Sequence, residues 1–371
     1  MDGKKLKIFS FFSGCGFLDL GFEKNGYDVV LVNEFFRPFL EAYKFARKKM
    51  KISEPIYGHW NTDINLFFSD DAGTLTNYIA DARKDGSKIG FIGGPPCPDF
   101  SVAGKNRGKE GENGKLSRSY TDLIIKMKPD FFLFENVKGL WRTARHRAFF
   151  DELVADFKKA GYAVSYRLTN SLEYGAPQDR DRILLIGILR KLLPDTCVVD
   201  NEIINFPWTQ HQKYVVEDVK KLPWPTTSPF GENTVITDAL PRELTVQHWF
   251  DINDVEHHAN HNDFFMPRGG LEKMETIDEG DVSKKSYKRL HRWRYSPTVA
   301  YGNNEVHLHP CYVRRLSVSE ALALQSLPKE FVLPPDMSLS HKFKTVGNGV
   351  PYLLSSGIAL TLREYITQFC K

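Results

Sequence analysis

Cys97 lies in the stretch Gly93-Gly94-Pro95-Pro96-Cys97-Pro98-Asp99-Phe100-Ser101, directly after the apolar run Ile89-Gly90-Phe91-Ile92. A cysteine between prolines is poorly suited to a core and well suited to presenting a thiol. The run reads as a buried strand, the glycines and prolines end it abruptly, and the thiol is left at the strand's carboxyl edge, where open α/β sheets place their ligands. The chemistry on offer is nucleophilic attack by a thiolate; a loop that merely contains a cysteine fits the stretch equally well. A second constellation lies nearer the amino terminus. Ser13-Gly14-Cys15-Gly16 follows the apolar run Lys5 to Phe12, and Glu34 ends a second run that begins at Asp28, 20 residues after Gly14. That spacing suits a βαβ nucleotide site in which the acid accepts hydrogen bonds from ribose hydroxyls. No third glycine is present to pack beside a pyrophosphate, so S-adenosyl-L-methionine suits the turn better than a dinucleotide.

The elements that must position these groups follow from the pattern around them. Phe17 to Lys24 has helical spacing and is stopped by Asn25-Gly26, and residues 37 to 49 read as a helix. Thr62-Asp63-Ile64 offers another strand-end carboxylate, able to reach an adenine amino group or to cap a helix. After Ser101, the stretch Val102 to Lys115 is rich in glycine and charge and reads as a basic lid that closes over a polyanion. Tyr120 to Lys128 is a predicted helix, Pro129 to Phe134 a strand running into Glu135-Asn136-Val137, Ala148 to Ala160 a helix and Ala163 to Leu168 a strand. Gly175 to Arg182 then turns into the apolar strand Ile183 to Ile188, and on its own the Arg180/Arg182 pair reads as a solvated charged turn. Alternation through residue 189 predicts a parallel, doubly wound sheet.

From Pro194 to about residue 295 the periodicity is irregular, with frequent prolines and aromatics, which predicts a separate loop-rich domain. It ends in Lys284 to Arg294, where six Lys or Arg and two aromatics in 11 residues suit phosphate contacts and stacking, or simply a solvated surface. Regular structure resumes at Ser296: Ser317 caps a helix over Ala321 to Ser326, Lys344 to Pro351 reads as a glycine-rich turn, and Pro351 opens a last helix with Leu354, Ile358, Leu362 and Ile366 on one face.

Composition sets outer limits. The 371 residues, 42% hydrophobic, suffice for one large domain and a smaller one. No run approaches the ~18 apolar residues of a membrane helix, and Met1-Asp2-Gly3-Lys4-Lys5 leads into a strand without a signal-peptide pattern, so a cytoplasmic protein is expected. Five cysteines (Cys15, Cys97, Cys197, Cys311 and Cys370) with no C-x-x-C argue against a disulfide framework and a thiolate metal site. His257, His258 and His261 lack a fourth ligand at suitable spacing, so no metal is expected. The net charge of +4 permits a nucleic-acid partner without requiring one.

Taken in order, the motifs resemble those of the C5-cytosine DNA methyltransferases, from Phe9 to the last helix. Phe12-Ser13-Gly14-Cys15-Gly16 is similar to that family's adenosylmethionine turn, Pro96-Cys97 to its nucleophile motif, Glu135-Asn136-Val137 to its acidic motif, Gln178-Asp179-Arg180-Asp181-Arg182 to its Gln-x-Arg-x-Arg motif, and Gly347-Asn348-Gly349-Val350 to its closing motif. The resemblance implies a doubly wound, Rossmann-like α/β methyltransferase domain built from residues 1–193 and 296–371, with residues 194–295 as a target-recognition domain that reads base edges in the major groove. It also implies transfer of a methyl group from S-adenosyl-L-methionine to C5 of a cytosine flipped out of a specific double-stranded DNA sequence.

In that reaction Cys97 adds to C6, Glu135 donates to N3, and Arg182 with Arg180 holds the base through O2. Phe12 stacks near the adenine, Gly14 and Gly16 permit close approach, Glu34 takes the ribose hydroxyls and Asp63 the adenine amine. Pro95, Asn348 and Val350 complete the cofactor pocket. The implied DNA contacts are Ser101, Lys105, Arg107, Lys109, Gln178, Lys288, Arg289, Arg292 and Arg294. A monomer suffices, and a restriction endonuclease is the implied functional companion. One departure stands out: Pro98 replaces the family's glutamine, removing a side-chain amide and a backbone donor. It leaves open a catalytically weak relative that binds adenosylmethionine and DNA; an RNA cytosine methyltransferase is the other alternative.

Overall fold

The computed structural model describes residues 5–69, 72–96, 112–267, 269–284, 286–299, 301 and 305–370. Its centre is a nine-stranded sheet. The strands in chain order are β1 (Leu6–Phe11), β2 (Asp28–Asn33), β3 (His59–Trp60), β4 (Lys88–Gly93), β5 (Phe131–Val137), β6 (Tyr162–Asn170), β7 (Gln178–Asp179), β8 (Asp181–Leu189), β9 (Val198–Val199), β10 (Glu202–Ile203) and β11 (Ser296–Pro297). The large sheet runs β3-β2-β1-β4-β5-β8-β6-β10-β9, while β7 and β11 form a small parallel pair of their own.

The apolar runs become strands because both faces of this sheet are covered. Ile8, Ile92 and Leu133 point into a core shared with the last helix, whereas Phe9, Phe91, Phe132 and Phe134 point into a second core on the other face. Helices α1 (Phe17–Lys24), α2 (Arg37–Lys49) and α12 (Tyr352–Phe369) supply the first face. Helices α3 (Ala72–Ala82), α4 (Glu112–Met127) and α6 (Ala144–Lys159), with the short α5 (Gly139–Arg142) before it, supply the second. The doubly wound reading holds for β1 to β5, which pair in parallel.

The expectation of an all-parallel sheet fails at β8, which runs antiparallel between β5 and β6. Only residues 171–180 join β6 to β8, and Ser171–Tyr174 spend part of that length on a 3-10 turn. A parallel crossover needs about a dozen residues or more, so the chain can only double back.

Four further elements differ from the sequence expectation. α4 begins at Glu112 and takes in the end of the stretch read as a lid. Residues 198–203 add β9 and β10 to the large sheet, and Phe206 and Trp208 pack with Tyr365, so the first domain does not stop at residue 193. The middle segment, with α7 (Val216–Lys221), α8 (Val246–Ile252) and α9 (Leu271–Glu275), is not wholly separate: Val246, Trp249, Phe250 and Val255 share a third core with α2 and with α10 (Val318–Leu324). Finally, most of the predicted glycine-rich turn is the end of a helix, α11 (Leu339–Asn348), because Phe343 and Val346 bury one helical stripe and Ser338 caps its start by accepting from the His341 amide. The predicted Ser317 cap is present as a full capping box with Glu320.

Candidate active site

β4 and β5 pair with Gly93 opposite Phe134, so the chain leaving β4 runs beside Glu135. A Cβ at Gly94 would fall 2.5 Å from Glu135 Oε2, which leaves glycine as the residue that lets the chain pass. The Asn136 side-chain amide donates to Pro95 O at 3.4 Å and ties down the next residue. From the other side, β8 sets Arg182 opposite Val137, and the Arg182 Nε lies 2.8 Å from Glu135 Oε1. Glu135 and Arg182 are both buried. Burial pushes the Glu135 carboxyl up from its ordinary range, against the pull of Arg182 and then Arg180. The pair is therefore a carboxyl disposed to hold a proton, oriented by a cation, at the edge where the segment toward Cys97 emerges. Cys97 itself, with Ser101, Lys105, Arg107 and Lys109, lies outside the described residues.

A cradle lies along the same edge, at the ends of β1 and β2. Phe12 at φ 52° and Gly14 at φ 56° both take the left-handed conformation, a strained choice for phenylalanine and a free one for glycine. The Gly14 amide donates to Glu34 Oε2 at 2.9 Å, and the Phe36 amide to Glu34 Oε1 at 2.8 Å, which fixes the carboxylate at the carboxyl end of β2. Among the described residues nothing lies within 4 Å of where a Gly14 Cβ would be, so they leave this face of the turn open. Phe12 is half-buried, its ring edge-on to Tyr120. The closing motif arrives from the far end of the chain: a Cβ at Gly349 would meet the Phe17 ring at 2.0 Å, Val350 is buried, and Asn348 is exposed at the end of α11. An acid at a strand end, an open glycine turn and an aromatic face are a donor set that fits an adenosyl group.

The geometry gives several of the implied residues other partners. Gly16 packs inward, where a Cβ would sit 2.3 Å from the Tyr43 ring, and its carbonyl accepts from Arg47 Nη2 at 2.6 Å. Its glycine is thus required by α2. Asp63 accepts from the Asn65 amide at 2.8 Å and caps a 3-10 turn, the other of its two readings. Arg180 is 1% exposed and spends its guanidinium on Val299 O and Gly347 O. Gln178 is fully buried against Leu324 and Gln325, which removes it from the DNA contacts. Arg289, also fully buried, donates to the carbonyls of Met274, Ile277, His309 and Tyr312, and Arg292 is bound to the buried Glu279. Lys288 and Arg294 are half-buried.

One group that sequence reasoning passed over lies beneath the glycine turn. Asp19 is fully buried, accepts from Ser10 Oγ at 2.9 Å and Tyr43 at 3.1 Å, and is pushed up to about 7 by burial. The available signal was an acid inside the apolar stretch Phe17-Leu18-Asp19-Leu20. Among the described residues no helix is long and apolar enough to cross a membrane, and no cluster of three or more His, Cys, Asp or Glu could hold a metal ion.

Residues 6–364 match the C-5 cytosine-specific DNA methylase family. The chain is 54% identical over 364 residues to Type II methyltransferase M.NmeDI of Neisseria meningitidis serogroup C, covering 98% of this chain and 84% of that one. It is 28% identical over 371 residues to Type II methyltransferase M.FnuDI of Fusobacterium nucleatum, covering 98% and 95%. Among solved structures it is similar to a DNA modification methyltransferase encoded within an E. coli prophage, with a TM-score of 0.65, 20% identity and coverage of 98% and 100%. A DNMT2 variant of Spodoptera frugiperda superposes with a TM-score of 0.58 at 16% identity, covering 96% and 99%. These two structures speak for the fold: the large sheet with helices on both faces is a Rossmann-like methyltransferase fold. With the family matched across nearly its whole length, the chain belongs to the C-5 cytosine-specific DNA methylases and is a DNA (cytosine-5) methyltransferase.

Proposed function

We propose that the chain methylates C5 of a cytosine flipped from a specific duplex sequence, with Cys97 as nucleophile, Glu135 as proton donor and Arg182 as the group that orients both Glu135 and the base. The observation that carries this reading is the buried Glu135–Arg182 pair, 2.8 Å apart beside the segment that leads to Cys97. C5 of cytosine is too weak a nucleophile to accept a methyl group unaided. The Cys97 thiolate bonds to C6 as N3 takes the proton of Glu135, which leaves an enamine whose electron density lies on C5. Arg182 donates to O2 and offsets charge on the ring. Afterwards a base or water removes the C5 proton, the sulfur–C6 bond breaks to restore the double bond, and the N3 proton returns to Glu135. Flipping the base costs a few kcal/mol, offset by phosphate contacts.

S-adenosyl-L-methionine, when bound, supplies the methyl group that C5 accepts. Glu34 takes the ribose hydroxyls, the open face of Gly14 lets the ligand approach the backbone, Phe12 packs on the adenine, and Pro95, Asn348 and Val350 close the pocket. The irregular segment between β10 and β11 reads the DNA, with Lys288 and Arg294 toward phosphates. The names of the Type II relatives support a role as the modification partner of a restriction endonuclease; a monomer in the cytoplasm suffices for that role. Incubation with methyl-tritiated adenosylmethionine and unmethylated duplex, followed by nucleoside analysis, tests the reading: label is expected in 5-methylcytosine, and label in N4-methylcytosine or N6-methyladenine, or none, overturns it.

A further inference from the structure

We propose that Gln178 and Arg180 form a latch between the recognition segment and the cofactor-closing turn, so that DNA and S-adenosyl-L-methionine bind cooperatively. The proposal rests on the cofactor reading above. Arg180 Nη1 donates to Val299 O at 2.9 Å and to Gln178 Oε1 at 3.3 Å, while Nη2 donates to Gly347 O at 2.6 Å. Val299 lies just past β11, where the chain leaves the recognition segment, and Gly347 immediately precedes Asn348 of the closing motif. One planar guanidinium thus grips both.

Gln178 repeats the connection. Its Oε1 accepts from the Val299 amide at 3.2 Å, and its Nε2 donates to Gln325 Oε1 at 3.4 Å and to Leu324 O at 3.2 Å. Gln325 passes the grip on: its Nε2 donates to Val346 O and Gly349 O, and its own carbonyl accepts from the Tyr352 amide at 2.9 Å. The turn 347–351 is therefore held at Gly347 by Arg180, which also holds residue 299, and at Gly349 and Tyr352 by Gln325, which Gln178 links to residue 299. β7 reinforces the arrangement by pairing with β11, Ser296 opposite Gln178. Two residues beyond Arg180, Arg182 meets Glu135.

Gln178, Arg180 and Gln325 are themselves buried, where a lost partner is not readily replaced by water. A displacement of Val299 relative to Gly347 must break a charge-assisted bond or carry the closing turn with it. DNA that seats the recognition segment then also favours the closed cofactor turn, and by linkage the cofactor favours DNA by the same factor. Arg180 is in this account a positioning residue; it touches neither ligand.

The test is equilibrium dialysis of tritiated S-adenosylhomocysteine with the full-length protein, with and without a saturating pool of long, random-sequence unmethylated duplexes. For the wild type, DNA tightens binding by roughly fivefold or more. In Arg180→Lys, which keeps the charge but loses the fork, and in Gln325→Met, which keeps the volume but loses the amide, the ratio falls to near one. A ratio in the variants equal to that of the wild type overturns the latch, as does a wild type without coupling. A wild type that binds no S-adenosylhomocysteine overturns the cofactor reading instead. In the wild type, DNA alone must also slow amide hydrogen exchange at residues 345–350; unchanged exchange there overturns the latch even where the variants misfold.

Discussion

Residues 178–182 and residues 284–294 both crowd arginines into a short span, yet Arg182 in the first and Arg289 in the second are used differently. At the first, Arg182 shares its burial with a carboxylate, Glu135, and the pair faces the edge where the segment toward Cys97 emerges. At the second, Arg289 shares its burial with four backbone carbonyls. The difference teaches that what surrounds a guanidinium sets its work. Around Glu135 and Arg182 the paired strands satisfy most of the backbone, so these side chains are left to tune one another. The segment between β10 and β11 has little regular structure, and there a buried arginine donates to carbonyls that lie outside any strand ladder. A run of positive charge that looks made for phosphate is in part the internal framework of a loop-rich unit.

The contrast is sharpest when each region is broken in turn. Glu135→Gln is expected to lower the methyl-transfer rate by about 10²–10⁴-fold with little change in thermal unfolding, read by single-turnover kinetics and calorimetry together. A large loss of stability with normal turnover would erase the distinction between the regions. Arg289→Met is expected to do the reverse: it takes a donor from four carbonyls, of which Met274 O keeps the Ile277 amide, and costs on the order of 3 kcal/mol or more, measured by urea unfolding, while the salt dependence of DNA binding stays as in the wild type.

A third buried charge extends the comparison to pH. Asp19 holds its proton in the folded chain up to about pH 7. The unfolded chain releases it near the ordinary aspartate value, so the contribution to stability is fully present below that value and is lost as pH rises through about 7. Asp19→Asn is expected to flatten this decline, by an amount on the order of a few kcal/mol, in urea midpoints taken across that window; parallel curves for the two proteins would contradict the assignment. The smallest effect belongs to Lys288. Lys288→Ala is expected to weaken DNA binding about equally across sequences and to reduce the salt slope by about one, and an unchanged slope would place this lysine with Arg289 in the framework.

Much of the first domain was legible because strands buried on both faces read as unbroken apolar runs, as in Phe131 to Phe134, and because caps announce helices, as Ser317 does. α1 and α2 begin and end where the spacing puts them. The direction of β8 was not legible, since it depends on the length of a connection and not on the composition of the strand. Nor was the fate of Arg180. Its carbonyl acceptors lie 119 and 167 residues downstream, and no local pattern says which way a side chain will turn toward residues so distant. The family resemblance put Glu135 and Arg182 on one base, and the structure sets them 2.8 Å apart. The resemblance could not separate Arg182 from Arg180, two residues apart and of the same type, because only the packed structure assigns one to a carboxylate and the other to Val299 and Gly347.

The central claim is that Cys97 forms a bond to C6 of a flipped cytosine. A random-sequence duplex pool carrying 5-fluorocytosine, incubated with the protein and S-adenosyl-L-methionine, tests it directly, because fluorine at C5 cannot leave as a proton and the adduct is trapped. Denaturing mass spectrometry is expected to show a covalent protein–DNA species in the wild type and none in Cys97→Ser. An adduct that survives in Cys97→Ser, or its absence from the wild type, would contradict the account.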